Sequence, residues 1–185
     1  SYEAIIAGHE NEALQDVTGG LPQTFKLRGD KGAGSEPIDA EKLWQELSAF
    51  GDADETNLIC ASTNKAQNGI MAGHAYAIIG MNEVALEGNA GRARLIHVRN
   101  PWGKGEEWMG KFSDNDADSW GTISTTTRAE LGVAIEDDGT WWMELDDFHN
   151  VFTVVNVCRV LRQPHWTGHH ATGEWYGDQA PGGQT

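Results

Sequence analysis

The chain has 185 residues, a formal net charge of −15 and 39% hydrophobic residues. That length suits one domain with a real core plus an appendage, and no apolar run approaches the roughly 20 residues of a membrane span. The acidic balance argues against nucleic acid and anionic membrane as main partners.

The chain opens on Ser-Tyr-Glu-Ala, without a starting Met, a basic leader or an apolar stretch behind it. The expectation is an excised segment of a longer polypeptide with no signal peptide. Residues 1–17 read as helix and stop at Thr18-Gly19-Gly20, a flexible junction. An extended stretch follows over 23–28, then a Gly-rich loop over 29–37. Asp39 can cap a helix that runs to Phe50, with Leu43, Trp44, Leu47 and Phe50 on one face. Beyond Gly51 the pattern changes to strands at 58–62, 75–81, 93–99, 140–143 and 153–161, with a short helix over 145–150 before the last. From Gln163 the sequence is polar and rich in Gly and His. His165, His169 and His170 lack a fourth ligand and read as part of that tail rather than as a metal site. The body predicted over about 20–161 is α+β and mostly antiparallel β, with few helices.

Cys60 and Cys158, the two cysteines, lie inside apolar strand-like runs. Free cysteines of that kind are expected to be core residues in a reducing compartment, with the cytosol as the setting.

The sharpest feature is Gly73-His74-Ala75-Tyr76, followed by Arg99-Asn100-Pro101-Trp102-Gly103. If 75–81 and 93–99 pair as an antiparallel hairpin, the turn centre is predicted between Leu86 and Glu87. His74 then falls opposite Arg99 or Asn100, close enough for a hydrogen bond. An imidazole held by an amide oxygen is the base-and-orienter half of a Cys-His-Asn arrangement. Trp102 is expected to shield that bond from water. On spacing alone, a strand-end histidine and an ordinary Asn-Pro turn are the commoner reading, since such pairs arise easily.

The same segments resemble the second half of the calpain protease core. The likeness extends to Glu107-Trp108 with Ser113-Asp114-Asn115, and to Asp138-Gly139-Thr140-Trp141-Trp142-Met143 running into Asp147-Phe148. Tyr2-Glu3-Ala4 and 16–20 resemble the end of the first half of that core. The resemblance implies a papain-like β-barrel half that carries catalytic His74 and Asn100, with Trp102 beside the cleft. It divides the chain into 1–19, the end of the first subdomain and a junction; 20–161, the His/Asn subdomain; and 162–185, a linker into a following β-sandwich. It implies protein substrates and, as a partner, the first subdomain of the same core. The family's nucleophile sits in a Gly-Asp-Cys-Trp setting, and neither Cys60 nor Cys158 has it, so the chain alone is expected to be inactive. The alternative is a calpain-like module without catalysis, calcium-responsive or scaffolding.

Acids crowd two stretches: five in 106–118 and six in 136–147. Two such loops suggest cation binding, although solvated acidic loops are as common. Asp114, Asp116 and Asp118 open like an EF-hand, but Ser119 replaces its Gly and Thr125 its final Glu, so that motif is excluded. The calpain resemblance implies instead a calcium site formed by Glu107, Asp114, the carbonyl of Glu136, Asp138 and position 140. Thr140 stands where animal calpains usually have an acid. The stretch 104–106 is one residue longer than usual, which leaves Glu106 as an alternative to Glu107.

Overall fold

A computed structural model describes residues 8–29, 36–50 and 56–160. The first seven residues of the helix predicted over 1–17, most of the Gly-rich loop and the whole tail beyond 160, with its histidines, lie outside the described residues.

The elements run α1 (Glu10–Thr18), β1 (Leu21–Lys26), α2 (Ala40–Ala49), β2 (Thr56–Ser62), β3 (Ala75–Ala85), β4 (Arg92–Arg99), α3 (Ala117–Trp120), α4 (Thr125–Glu130), β5 (Thr140–Glu144), α5 (Leu145–Val151) and β6 (Val154–Val160). The Asp39 carboxylate accepts the Lys42 N–H at 2.8 Å, which satisfies one of the orphan donors that open α2. The six strands form one sheet in the order β1-β6-β2-β3-β4-β5, and every described pairing is antiparallel. The fold is α+β with a mostly antiparallel sheet.

The sheet is open, which corrects the barrel implied by the family resemblance. β1 pairs only with β6 and β5 only with β4, so the two edges do not meet. The reason is local. β5 runs directly into α5, and only Gly19 and Gly20 separate α1 from β1, so neither edge strand extends further toward closure.

Alternate residues of β4 point into two cores, as the two-residue period of a strand requires. Ile96 and Val98 join the larger cluster, with Leu43 and Leu47 of α2, Tyr76, Trp141, and Phe148 and Phe152 of the α5 region. Ala93 and Leu95 join a smaller one, with Val84, Phe112, Trp120, Ile123 and Leu131. Both faces of the central hairpin are therefore covered, and the strand that leads into Asn100 is packed on both sides.

The β3–β4 register differs from the predicted one. Ala85 faces Arg92, which centres the turn between Gly88 and Asn89 rather than between Leu86 and Glu87. The strands continue past Met81 because Glu83 forms ion pairs with Arg92 (2.6 Å) and Arg94 (2.9 Å) across the pair. A bulge at Ile79, between the pairs Ile78–Val98 and Gly80–His97, adds one residue to β3. Counting on from Ala77–Arg99, Asn100 lies level with Tyr76, and His74 is level with Trp102.

Candidate active site and acidic cleft

His74 stands one residue before β3, and Asn100 one residue after β4. Despite the shifted register, the imidazole Nε2 lies 2.9 Å from the Asn100 Oδ1. The chain beyond β4 folds back to make this possible. Asn100 donates its N–H to the Gly139 carbonyl at 2.7 Å, and its own carbonyl accepts the Gly103 N–H at 3.0 Å. The amide side chain is 1% exposed, and its Oδ1 also accepts the Trp102 N–H at 3.1 Å.

The tautomer follows from this geometry. An amide oxygen only accepts, so the ring nitrogen facing it must be the donor. With Nε2 carrying its proton, the neutral ring keeps the Nδ1 lone pair free. The ring is also confined sterically. The Trp102 indole lies over it at 4.3 Å between centroids, tilted by 39°, and Tyr76 meets it edge-on at 4.7 Å and 82°. Trp102 is 62% exposed, so one side of that indole is open to solvent or to a neighbouring surface.

Neither cysteine is placed as an accessible thiolate. Cys158 is fully buried, with its sulfur 3.4 Å from the Thr18 hydroxyl. Burial, with Glu10 and Cys158 adding to it, pushes the Cys60 thiol up to about 12. A thiol so placed is protonated at neutral pH and is a poor nucleophile.

The acidic residues meet beside the Asn100 turn. A cleft of about 460 Å³ is lined by Glu106, Glu107, Asp114, Glu136 and Asp137, with Trp108, Met109 and Ile135 as apolar wall. Asp138 and Thr140 lie against Asp114 and Glu136 in a smaller adjoining space, beside His97. The Glu107 carboxylate accepts the Gly139 N–H at 2.8 Å, and Asp114 accepts the Glu136 N–H at 3.4 Å, so the two acidic loops face each other. Asp138 turns back instead to the Thr140 N–H (2.7 Å) and hydroxyl (2.8 Å). Burial raises the Glu107 and Asp114 carboxyls above the usual carboxylate range, and neighbouring acids raise them further.

These oxygens suit a hard cation in kind. In spacing they form no ready cage: among the described residues, no three His, Cys, Asp or Glu side chains converge closely enough to hold an ion. Asp116, in the EF-like spacing, has a different occupation. It accepts the Phe112 N–H at 2.9 Å, where φ is +59°, and caps α3 through the Ser119 N–H at 3.2 Å.

Two glycines tie the cleft to the histidine. Gly139 has φ +78°, and a Cβ there would lie 2.9 Å from the Gly103 backbone, inside the Asn100 turn. Gly69, at φ +87°, packs its Cα so closely on the Glu107 carbonyl that no side chain fits, and Asn68 accepts the Met109 N–H at 3.1 Å. Gly139→Ala is therefore expected to cost roughly 1–3 kcal/mol in urea or thermal unfolding, from left-handed strain plus overlap. An unchanged midpoint would mean that the turn is not packed this tightly. No pattern rule singled out the Tyr76 ring or the Gly139 contact. The signals available were the two-residue step from His74 to Tyr76 and the Asp-Gly turn.

Residues 1–159 match the calpain family cysteine protease family. Calpain-9 of Rattus norvegicus is 35% identical over 164 residues, covering 86% of this chain and 22% of that protein. Calpain clp-4 of Caenorhabditis elegans is 36% identical over 168 residues, 88% of this chain and 22% of the relative. The Calpain-2 catalytic subunit of Mus musculus is 31% identical over 163 residues, with 86% and 22% covered. The chain thus spans about a fifth of the length of the relatives it matches (22%). It belongs to the calpain family of cysteine proteases.

Proposed function

We propose that this chain is the His/Asn half of the catalytic core of a calcium-dependent cysteine endopeptidase. It would supply the general base and its orienting amide to a nucleophilic cysteine on the other half of the core. The observation that carries the reading is the 2.9 Å contact between His74 Nε2 and the buried Asn100 Oδ1, which leaves Nδ1 free. In the assembled site Nδ1 takes the thiol proton, and the resulting imidazolium keeps its Nε2–H on Asn100. The thiolate attacks the peptide carbonyl, and His74 returns the proton to the leaving amine. A water activated by the same nitrogen then cleaves the thioester. Protein chains are the substrates, and two free cysteines suit a reducing, cytosolic setting.

Calcium is proposed for the acidic cleft, held by Glu107, Asp114, the Glu136 carbonyl, Asp138 and position 140. The like-charged, half-buried carboxylates on facing loops support that reading. Binding would require the side chains to turn from backbone N–H groups toward one ion, which would supply charge neutralisation to the two loops. The competing reading, a calcium-responsive module without catalysis, is separated by the residues preceding Ser1 in the parent protein. A Cys-Trp after Gly-Asp supports the enzyme, and Ser or Gly in place of Cys supports the module.

The 185-residue chain alone is expected to show no turnover of a casein-type substrate at any calcium concentration. The parent protein carrying Cys60→Ser and Cys158→Ser should keep iodoacetamide-sensitive activity. Loss of activity in a folded double variant would place the nucleophile at one of these two positions instead.

A further inference from the structure

Tyr76 is fully buried, yet it touches both the imidazole and the loop that leads into it. It lies two residues after His74, which stands just before β3, and its ring meets the imidazole edge-on at 4.7 Å. Behind it, Trp141 and Phe152 each pack against the Tyr76 ring at 5.7 Å and near-perpendicular angles, so the ring cannot retreat. Its hydroxyl oxygen accepts the Met71 N–H at 2.9 Å. Met71 belongs to the loop over 63–73, whose ends are joined by the Gly73 N–H on the Thr63 carbonyl at 2.8 Å.

Two independent restraints therefore meet in one side chain. Asn100 fixes one edge of the imidazole by a hydrogen bond, which alone permits the ring to rock about that contact. Trp102 lies over it but is largely exposed, and its indole is a weak stop. The Tyr76 ring, fixed within the core, is the firm stop. A hydroxyl buried wholly in apolar surroundings would also be costly without a partner, and the Met71 N–H is the partner it has. A phenylalanine would fill the same core equally well, so packing alone does not call for the oxygen.

We propose that Tyr76 is a positioning residue for His74. Its ring holds the imidazole in the orientation in which Asn100 fixes the Nε2–H tautomer, and its hydroxyl ties the 63–73 loop to the same anchor. The proposal rests on reading His74 as the base, and its test does not depend on turnover.

The test uses the 185-residue chain with ¹⁵N-labelled histidine, comparing wild type, Tyr76→Phe and Tyr76→Met. Wild type should show the His74 ring as the Nε2–H tautomer, with a slowly exchanging Nε2 proton. Tyr76→Phe should keep that signature while the Met71 amide exchanges roughly tenfold faster, the scale of one lost hydrogen bond. Tyr76→Met, which removes the flat edge, should speed Nε2 proton exchange roughly tenfold and bring in the other tautomer. A purely structural tyrosine would lower the melting temperature of both variants and leave the ring signals alone, and that result overturns the proposal. Should Tyr76→Met fail to fold, Tyr76→Phe decides: unchanged Met71 protection, or a lost Nε2–H signal, rejects the division of roles. A His74 that proves dispensable for turnover in the parent enzyme would reject the catalytic reading without touching this one.

Discussion

In the complete protease, His74→Ala is expected to abolish measurable turnover, while Asn100→Ala lowers it by roughly 10- to 100-fold. The difference follows from what each side chain does. In the proposed mechanism His74 moves the proton twice, and general acid–base catalysis by a placed side chain contributes about 10²–10⁴-fold. Asn100 moves nothing. Its Oδ1 accepts from Nε2–H at 2.9 Å and from the Trp102 N–H at 3.1 Å, so its removal frees the ring to take the other tautomer. A fraction of molecules still presents Nδ1 correctly, which is why activity remains. The loss should appear mainly in kcat, because neither group is needed to hold a substrate chain. Asn100 is buried, so the variant should also lose about 1–3 kcal/mol of stability from donors left unpaired. Steady-state kinetics with an unfolding curve on the same preparation separates the two effects. Near-normal kcat in a folded Asn100→Ala enzyme would mean that the amide does not orient the base.

The elements that were legible in the sequence are those whose signal is local. The α2 face of Leu43 and Leu47 and its Asp39 cap stand in the residues themselves, and both appear in the structure. The strand at 140–143 was legible as a short apolar run, and that at 93–99 by Ala93, Leu95, Ile96 and Val98, which are all buried. β3 was cut short at Met81 because Asn82 and Glu83 look like turn residues. Glu83 is instead satisfied by arginines on the partner strand, a contact that only tertiary pairing reveals. α3 and α4, of four and six residues, are too short to show a helical period and are held by their caps, Asp116 and Ser124. The His–Asn pair was legible as a motif, but its register was not, because the turn centre lies two residues beyond the predicted one and the Ile79 bulge takes back only one residue of that shift. The acids illustrate a different limit. Sequence places Glu107, Asp114 and Asp138 in two loops, but it does not say where the carboxylates point. Each engages a backbone N–H, and that choice depends on the loop path.

Millimolar calcium is expected to raise the melting temperature of the chain, and magnesium to raise it much less. The electrostatic situation without the ion is unfavourable. Burial raises the Glu107 and Asp114 carboxyls, and nearby acids, Asp138 among them for both, add to it. A carboxyl whose folded value is raised stabilises the fold when protonated, and that contribution fades as pH rises through the raised value. At neutral pH both groups are therefore held charged against a penalty, which a bound cation would remove. Binding to the folded state alone stabilises it by about 2.7 kcal/mol at a hundredfold excess over Kd. For a domain of this size that amounts to a rise of roughly 5–10 °C. Magnesium gives up its water shell reluctantly and favours a small octahedral site, which two facing loops do not readily supply. Asp114→Ala should abolish the rise, and without calcium it should melt little below wild type, since it removes a penalised charge. Asp116→Ala should behave in the opposite way. It loses the α3 cap and the Phe112 contact, costing about 1 kcal/mol, yet keeps the calcium response because its carboxylate is committed to those backbone donors. Thermal melts of the three proteins in chelator, calcium and magnesium give the answer. Identical wild-type melts in chelator and in several millimolar calcium would mean that Thr140, by removing one charged ligand, has silenced this cleft, and calcium control would then fall to the other half of the core.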